Sequence, residues 1–183
     1  MTSNRHNRTA NDAVLDAVRD CVLAVGVRRT TLTDVARRAG VSRMTLYRRW
    51  PDVRSLVGDL MTREWIAVAD RAKQHDLVDS LVEGVRTFRA HPLFRKIAEV
   101  DPELLLPYML DRRGASQEAL LEIIASALRE RAGRPDTPDR RARAILLVVQ
   151  SFALSMQTMT GDGITEPDLL EELRHILDRA LAP

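Results

Sequence analysis

The sequence is poor in cysteine, aromatic residues and glycine. Because there is one cysteine among 183 residues, no disulfide can form within a chain. Cys21 precedes Val22 and Val25, and this apolar setting predicts a buried thiol rather than a redox site. Aromatic residues make up only 4% of the chain, whereas leucine, alanine and valine are abundant. This balance favours helix over strand, so we predict an all-α protein.

The sequence also lacks a long uninterrupted apolar segment. The longest, Ala144 to Met156, is interrupted by Gln150, Ser151 and Ser155, and it is shorter than the ~20 residues that cross a bilayer. The N-terminal residues are polar and lack the apolar run and cleavage site of a secretory signal. We therefore expect a cytoplasmic protein without a membrane segment.

The net charge of +2 is unevenly distributed along the chain. Residues 1–54 contain 11 arginines and 5 aspartates, a net charge of +6, whereas residues 55–183 carry a net charge of −4. A basic first third joined to an acidic remainder indicates a polyanionic partner for the first third, with a solvated basic face as the alternative. Arginine supplies nearly all of this positive charge, and its guanidinium suits bidentate contacts to phosphate and guanine.

Apolar residues recur at helical spacing along almost the whole chain. We predict about nine or ten helices, an N-terminal domain of three of them over residues 1–54, and a C-terminal helical bundle over residues 55–183. The helices are expected over approximately residues 9–25, 31–39, 43–50, 52–74, 76–90, 92–100, 102–110, 116–132, 138–159 and from 166 onward.

Two of these helices are short and are joined by a turn that contains a glycine. Thr31 and Asp34 approximate a capping box at the start of the first, and Gly40 ends it. Ser42 caps the second, which Pro51 ends. Two short helices joined by a turn of about four residues have the geometry of a helix-turn-helix, although an ordinary helix hairpin shares the pattern.

The residue types in this segment separate a buried side from an exposed side. The small Ala36 permits a close helix crossing, and Val35, Val41 and Leu46 are placed to form a small core. The remaining side chains of the second helix are then free to project into a DNA major groove. They are Arg43, Met44, Thr45, Arg48 and Arg49.

The segment TDVARRAGVSRMTLYRRW, residues 33–50, resembles the N-terminal signature of the TetR (tetracycline-repressor-like) family. The resemblance covers roughly residues 9–60 and implies a dimeric transcriptional regulator. It implies DNA-backbone contacts from Thr33, Ser42, Thr45 and Tyr47, and base-edge contacts from Arg43 and Met44. Three positions depart from the family pattern: Met44 replaces a small residue, Arg49 and Trp50 replace His-Phe, and Val53 replaces a phosphate-contacting lysine. The phosphate contact of that lysine is then either lost or moved to Arg54.

The last two long helices are apolar around most of their circumference, which indicates burial on two sides. One side can face the domain core and the other a second copy of the chain, with burial inside a monomer as the alternative. The resemblance likewise implies that these helices pair across a dimer interface. We predict interface positions at Leu147, Leu154, Leu173 and Leu177.

The C-terminal bundle is expected to sense an apolar small molecule, although plain core packing is the alternative for each residue named. The predicted pocket residues are Trp65, Phe88, Tyr108, Met109, Phe152, Met156 and Met159. The four histidines are scattered without metal-ligand spacing, and we find no glycine-rich phosphate loop. We therefore predict no metal, no cofactor and no enzymatic activity.

These features together predict a homodimeric repressor that binds an inverted-repeat DNA operator and is released by an apolar effector. Two alternatives stay open: a dimeric DNA-binding scaffold that senses nothing, and a helical protein-interaction adaptor that never binds DNA. Salt-dependent DNA binding separates the adaptor from the other two, and ligand-induced release separates the repressor from the scaffold.

Overall fold

The computed structural model describes residues 3–72, 76–106, 109, 113–131 and 138–182. This part of the chain contains nine α-helices and two short 3₁₀ turns, Pro102–Leu104 and Met156–Met159. The helices are α1 Ser3–Val25, α2 Leu32–Ala39, α3 Arg43–Tyr47, α4 Val53–Ala72, α5 Leu77–Ala90, α6 Pro92–Val100, α7 Ala115–Arg131, α8 Pro138–Ser155 and α9 Glu166–Leu181. The predicted all-α class is confirmed.

The helices pack as two compact units. The first comprises Met1–Glu64 and Pro92–Arg112, and the second comprises Trp65–His91 and Arg113–Pro183. Helix α4 runs from the first unit into the second. The boundary between functional domains that we predict after residue 54 stays a prediction. The boundary between the packing units lies later, after Glu64, since Leu56 and Leu60 of α4, together with Leu93 of α6, lie in the core of the first unit.

The core of the first unit is built from the apolar faces of α1, α2, α3, α6 and the first half of α4. Its largest fully buried side chains are Val18, Val22, Val35, Leu46, Leu56, Leu60, Leu93 and Ile97. Cys21 is buried here as predicted, with 7% of its surface exposed. Helix α1 ends at Val25 and is followed by Gly26, whose φ of 83° is the left-handed conformation that a glycine adopts at low cost.

The second unit is a bundle in which α8 packs against α5, α7 and α9, and α9 also packs against α5. Ile124, Ile145, Leu173 and Leu177 are among its buried side chains. Arg174 and Asp79 form an ion pair between α9 and α5. The bundle is therefore held by an apolar core with a few charged contacts at its surface.

Helix α8 and the turn after it, Pro138–Met159, are the one helical segment in the described part that could cross a membrane by length and composition. Of its most apolar stretch of 18 residues, 33% is buried. Because Ile145, Leu146 and Val149 pack into the bundle core, we interpret it as a core helix. Its exposed large apolar side chains are Leu147 and Met159.

Three predicted helices differ from the structure, and the first of them begins at Ser3 rather than near residue 9. The helix expected over residues 43–50 ends at Tyr47, because the Arg49 N–H bonds to the Leu46 carbonyl at 2.9 Å and tightens the last turn ahead of Pro51. Of the helix expected over residues 102–110, the structure shows a 3₁₀ turn at Pro102–Leu104, and Leu106 and Met109 are helical, whereas residues 107–108 and 110 lie outside the described part.

Candidate nucleic-acid interface

Helix α2 begins with the capping arrangement that its sequence predicts. The Thr31 backbone is extended, and the Asp34 N–H donates to the Thr31 hydroxyl oxygen at 3.1 Å. The Thr31 hydroxyl in turn donates to the Asp34 carboxylate at 2.6 Å, and that carboxylate also accepts a hydrogen bond from Arg37 at 2.8 Å. These short-range contacts fix the start of α2 and place Thr33 in its first turn.

The turn between α2 and α3 depends on the backbone of Gly40. Its φ of 67° lets the chain reverse, and the Val41 N–H donates to the Ala36 carbonyl at 3.0 Å. This is the bond that closes a helix ending with a left-handed residue. Ala36 is 2% exposed, and Val41 packs against the same core. The helix-turn-helix geometry expected from the sequence is therefore present.

Helix α3 is capped by Ser42, whose hydroxyl oxygen accepts a hydrogen bond from the Thr45 N–H at 3.1 Å. The hydroxyls of Ser42 and Thr45 are 2.8 Å apart and both residues are exposed. Leu46, fully buried, anchors the helix to the core of the first unit. The side chains around it therefore point away from that core.

The structure places the predicted DNA-contacting residues on α2, on α3 and the residues that flank it, and in the first turn of α4. Met44 is 76% exposed and Tyr47 is 51% exposed. Thr33 is half-buried. The other exposed members of the set are Ser42, Arg43, Thr45, Arg48, Arg49 and Arg54. The surface combines positive charge, hydroxyl groups and one flexible apolar side chain.

Two of the departures from the family pattern have a structural explanation. Val53 is half-buried and packs against the core of the first unit, so it contributes no charge to the surface. Trp50 is 4% exposed, its indole Nε1 donates to the Asp59 carboxylate at 2.9 Å, and Arg49 lies over its ring at 4.8 Å.

Asp101 is a buried charged residue that no motif in the sequence identifies. Its Oδ2 accepts the Val27 N–H at 2.7 Å, and its Oδ1 lies 3.5 Å from Arg28 Nε. Arg28 also forms an ion pair with Glu103. The contacts join the segment after α6 to the turn after α1. The only sequence signal, an aspartate before Pro102, predicts a helix cap, but its side chain makes no capping bond here.

The predicted pocket residues fall into different surroundings. The rings of Trp65 and Phe88 are 4.3 Å apart, and His91 lies edge-on to Trp65 at 5.4 Å. Phe152 is half-buried against the second core, and Met156 is 2% exposed within it. Met159 is 65% exposed and Met109, in the first unit, 46% exposed, whereas Tyr108 lies outside the described residues.

Two of the predicted interface residues require correction. Leu173 and Leu177 are fully buried in the core of the second unit of a single chain, so their side chains are unavailable to a partner. The apolar excess on α9 reflects contacts with α5 and α8 as well as its outer face. Leu147 is 68% exposed, Leu154 is half-buried, and Ile176 is 41% exposed.

Among the described residues, no group of three His, Cys, Asp or Glu side chains is placed to hold a metal ion.

Comparisons with known proteins agree with this geometry. Residues 14–60 match the family described as bacterial regulatory proteins, tetR family. An uncharacterized HTH-type transcriptional regulator of Mycobacterium bovis is 36% identical over 175 residues, which cover 90% of each chain.

Two solved structures share the fold. The transcriptional repressor QsdR of R. erythropolis, from the TetR family, aligns with a TM-score of 0.70 at 15% identity over 95% of each chain. The TetR family repressor AlkX of Dietzia sp. strain DQ12-45-1b aligns with a TM-score of 0.67 at 23% identity, over 93% of this chain and 94% of that one.

Proposed function

Because this chain belongs to the TetR family of bacterial transcriptional regulators, we propose that it is a homodimeric repressor released from an inverted-repeat operator by a small apolar ligand. The observation that carries the proposal is the helix-turn-helix of α2 and α3, with its exposed face of arginines and hydroxyls. The repressor acts in the cytoplasm, where its DNA lies, and needs no cofactor or catalytic step.

The DNA contacts divide by chemistry. Arg43 and Met44 lie in the first turn of α3, the part of a recognition helix that meets base edges. Ser42, Thr45 and Tyr47 carry hydroxyls, and Arg48 carries a charge, all suited to phosphate oxygens. Arg54, in the first turn of α4, supplies a cation beside the position where Val53 has none.

The dimer is proposed to form through the outer faces of α8 and α9. Leu147 is the most exposed large apolar residue on α8, and Ile176 is exposed on α9. We infer that a second copy of the chain covers these exposed apolar side chains. A two-fold dimer presents two identical copies of α3, so the operator must contain matching half-sites about 34–36 Å apart, or a multiple of that spacing.

The ligand response is proposed to act through α4. This helix carries Leu56 and Leu60 in the core of the first unit, and its next segment begins with Trp65, which stacks on Phe88 in the second unit. A ligand bound near Trp65, Phe152 and Met156 would shift α4 and so change the separation of the two recognition helices. Ligand and DNA then weaken each other's binding by the same factor, typically about 5–150-fold.

Selection of bound sequences from random duplex DNA by the purified protein tests the proposal. We expect an enriched inverted repeat, whereas a site without dyad symmetry would contradict the dimer geometry. Failure to enrich any sequence would favour the adaptor. With the selected operator, a library of apolar compounds is then screened for release; if none binds, the protein is a non-sensing scaffold.

A further inference from the structure

We propose that Trp50, anchored by Asp59, is a positioning residue that holds the Arg49 guanidinium as a phosphate contact at the end of α3. The inference rests on the proposed DNA binding and assigns a role to the Arg-Trp pair that replaces the usual residues of the family. It concerns three side chains that lie within the first unit.

Trp50 is held at both ends. Its backbone N–H donates to the Leu46 carbonyl at 2.8 Å, and its indole Nε1 donates to Asp59 Oδ2 on α4 at 2.9 Å. A hydrogen bond to a carboxylate is stronger than one between neutral groups. Only 4% of Trp50 is exposed, so the ring is a fixed surface rather than a mobile side chain.

Arg49 uses this surface. Its Cζ lies 4.8 Å from the centre of the Trp50 ring, within the range of a cation–π contact. Arg49 is exposed, and a guanidinium stacked on an aromatic ring keeps its in-plane N–H groups free for phosphate oxygens. Stacking therefore reduces the conformational freedom that the side chain would lose on binding DNA, without using its hydrogen-bond donors.

The anchor makes a prediction that charge alone does not. Asp59→Ala and Asp59→Asn both remove one negative charge, so on Coulombic grounds both variants should bind DNA better than the wild type by the same factor. The Asp59→Asn variant keeps an oxygen that accepts the indole N–H, whereas the Asp59→Ala variant has none. We expect Asp59→Ala to bind about two- to five-fold more weakly per protomer than Asp59→Asn, which corresponds to losing an exposed cation–π contact.

The experiment measures binding of the full-length protein to a fluorescent random-sequence duplex across a salt series. Arg49→Ala should reduce the slope of log affinity against log salt by about 0.9 per protomer, the value for one phosphate contact. In the Arg49→Ala background, Asp59→Ala and Asp59→Asn should bind equally. Circular dichroism verifies that each variant is folded at the assay temperature.

If Asp59→Ala does not fold, Trp50→Phe replaces it, because phenylalanine retains a ring but lacks the indole donor. It should then weaken binding in the Arg49 background and not in the Arg49→Ala background. The inference is overturned, while DNA binding stands, if Arg49→Ala leaves the salt slope unchanged. It is also overturned if the ratio of the DNA affinities of Asp59→Ala and Asp59→Asn is the same in both backgrounds. A wild-type protein that binds no duplex overturns the proposed function and the inference with it.

Discussion

At the residue scale, the side chains that hold α3 in place and the side chains proposed to contact DNA are different members of the same short segment. Leu46 and Trp50 are buried and hold α3 in place, whereas Arg43 and Arg48 are exposed and available to a partner. Substitutions of the exposed pair should therefore alter binding while leaving folding nearly unchanged, since surface changes away from caps and cores have small effects.

Arg43→Ala should relax the sequence preference of the protein. If the guanidinium is bidentate to a guanine, its loss costs roughly 1–3 kcal/mol on the selected operator and removes the preference at one base pair. Arg48→Ala is the matched control, because a phosphate contact should weaken binding to operator and random duplex alike. Affinities of both variants for both duplexes check this; equal losses on the two duplexes for Arg43→Ala would identify Arg43 as a backbone contact.

Asp52 caps α4, and the contribution of this cap to the free energy of unfolding depends on pH. The pKa of Asp52 is lowered below 3.8, mainly by the Ser55 backbone N–H, which lies 2.7 Å from Asp52 Oδ1, and next by the Ser55 hydroxyl. Because the folded-state pKa is the lower one, the stabilisation is present above the unfolded pKa and is lost as pH falls through the folded pKa. Asp52→Ala should therefore lower the free energy of unfolding by about 1 kcal/mol at neutral pH.

The difference between the wild type and Asp52→Ala should shrink as the pH falls below about 4. Urea unfolding at a series of pH values measures it. Asp52→Asn, which keeps a capping oxygen without the charge, should lie closer to the wild type at neutral pH and vary less with pH. A pH-independent gap for Asp52→Ala would mean that the carboxylate charge contributes nothing.

At the element scale, the turn after α1 is tied to the segment after α6. Asp101 is fully buried and accepts the Val27 N–H, and Thr30, also buried, donates to the Gly26 carbonyl at 2.8 Å. A side chain at Gly26 would place its Cβ 2.9 Å from Asp101 Oδ2 and 3.0 Å from Val100 Cγ1. The turn preceding the helix-turn-helix is thus shaped by residues about 75 positions away in sequence.

Gly26→Ala and Gly40→Ala form a matched pair that separates backbone strain from crowding. Both glycines have positive φ, but nothing lies within 4 Å of a Cβ at Gly40. Gly40→Ala should cost about 1 kcal/mol from the left-handed backbone alone, and Gly26→Ala at least about twice that because a hydrogen-bonded carboxylate must also move. Thermal and urea unfolding check the order; equal losses would show that the Asp101 contact yields without cost.

At the scale of the whole molecule, the exposed apolar side chains of the second unit predict a dimer. Leu147→Glu should yield a folded monomer, because the side chain is 68% exposed and glutamate there stays in water until a partner approaches. The monomer should bind the operator weakly, because it presents one recognition helix instead of two linked ones. Sedimentation equilibrium and circular dichroism measure the mass and the fold.

Leu173→Glu is the contrasting variant. Leu173 is fully buried in the core of a single chain, so a carboxylate there should unfold the second unit rather than dissociate a folded dimer. A Leu147→Glu protein of unchanged dimer mass would place the interface elsewhere on the bundle.

The sequence by itself determined the helical class, the order of elements and the helix-turn-helix. Thr31, Gly40 and Ser42 act on backbone groups no more than about five residues away, so a short segment of sequence is enough to predict their roles. The basic charge of residues 1–54 is likewise a property of composition. For the same reason, most of the candidate DNA-contacting surface could be named in advance.

Only the tertiary structure decided which apolar faces are covered and which distant groups meet. Helical periodicity identifies an apolar face but not its partner, which is why Leu173 was expected at an interface and lies in the core. The Asp101 contact with Val27 and the Trp50 contact with Asp59 join different elements, and no local pattern encodes such pairs. Burial and long-range hydrogen bonding depend on how the helices pack, and that packing is a property of the whole chain.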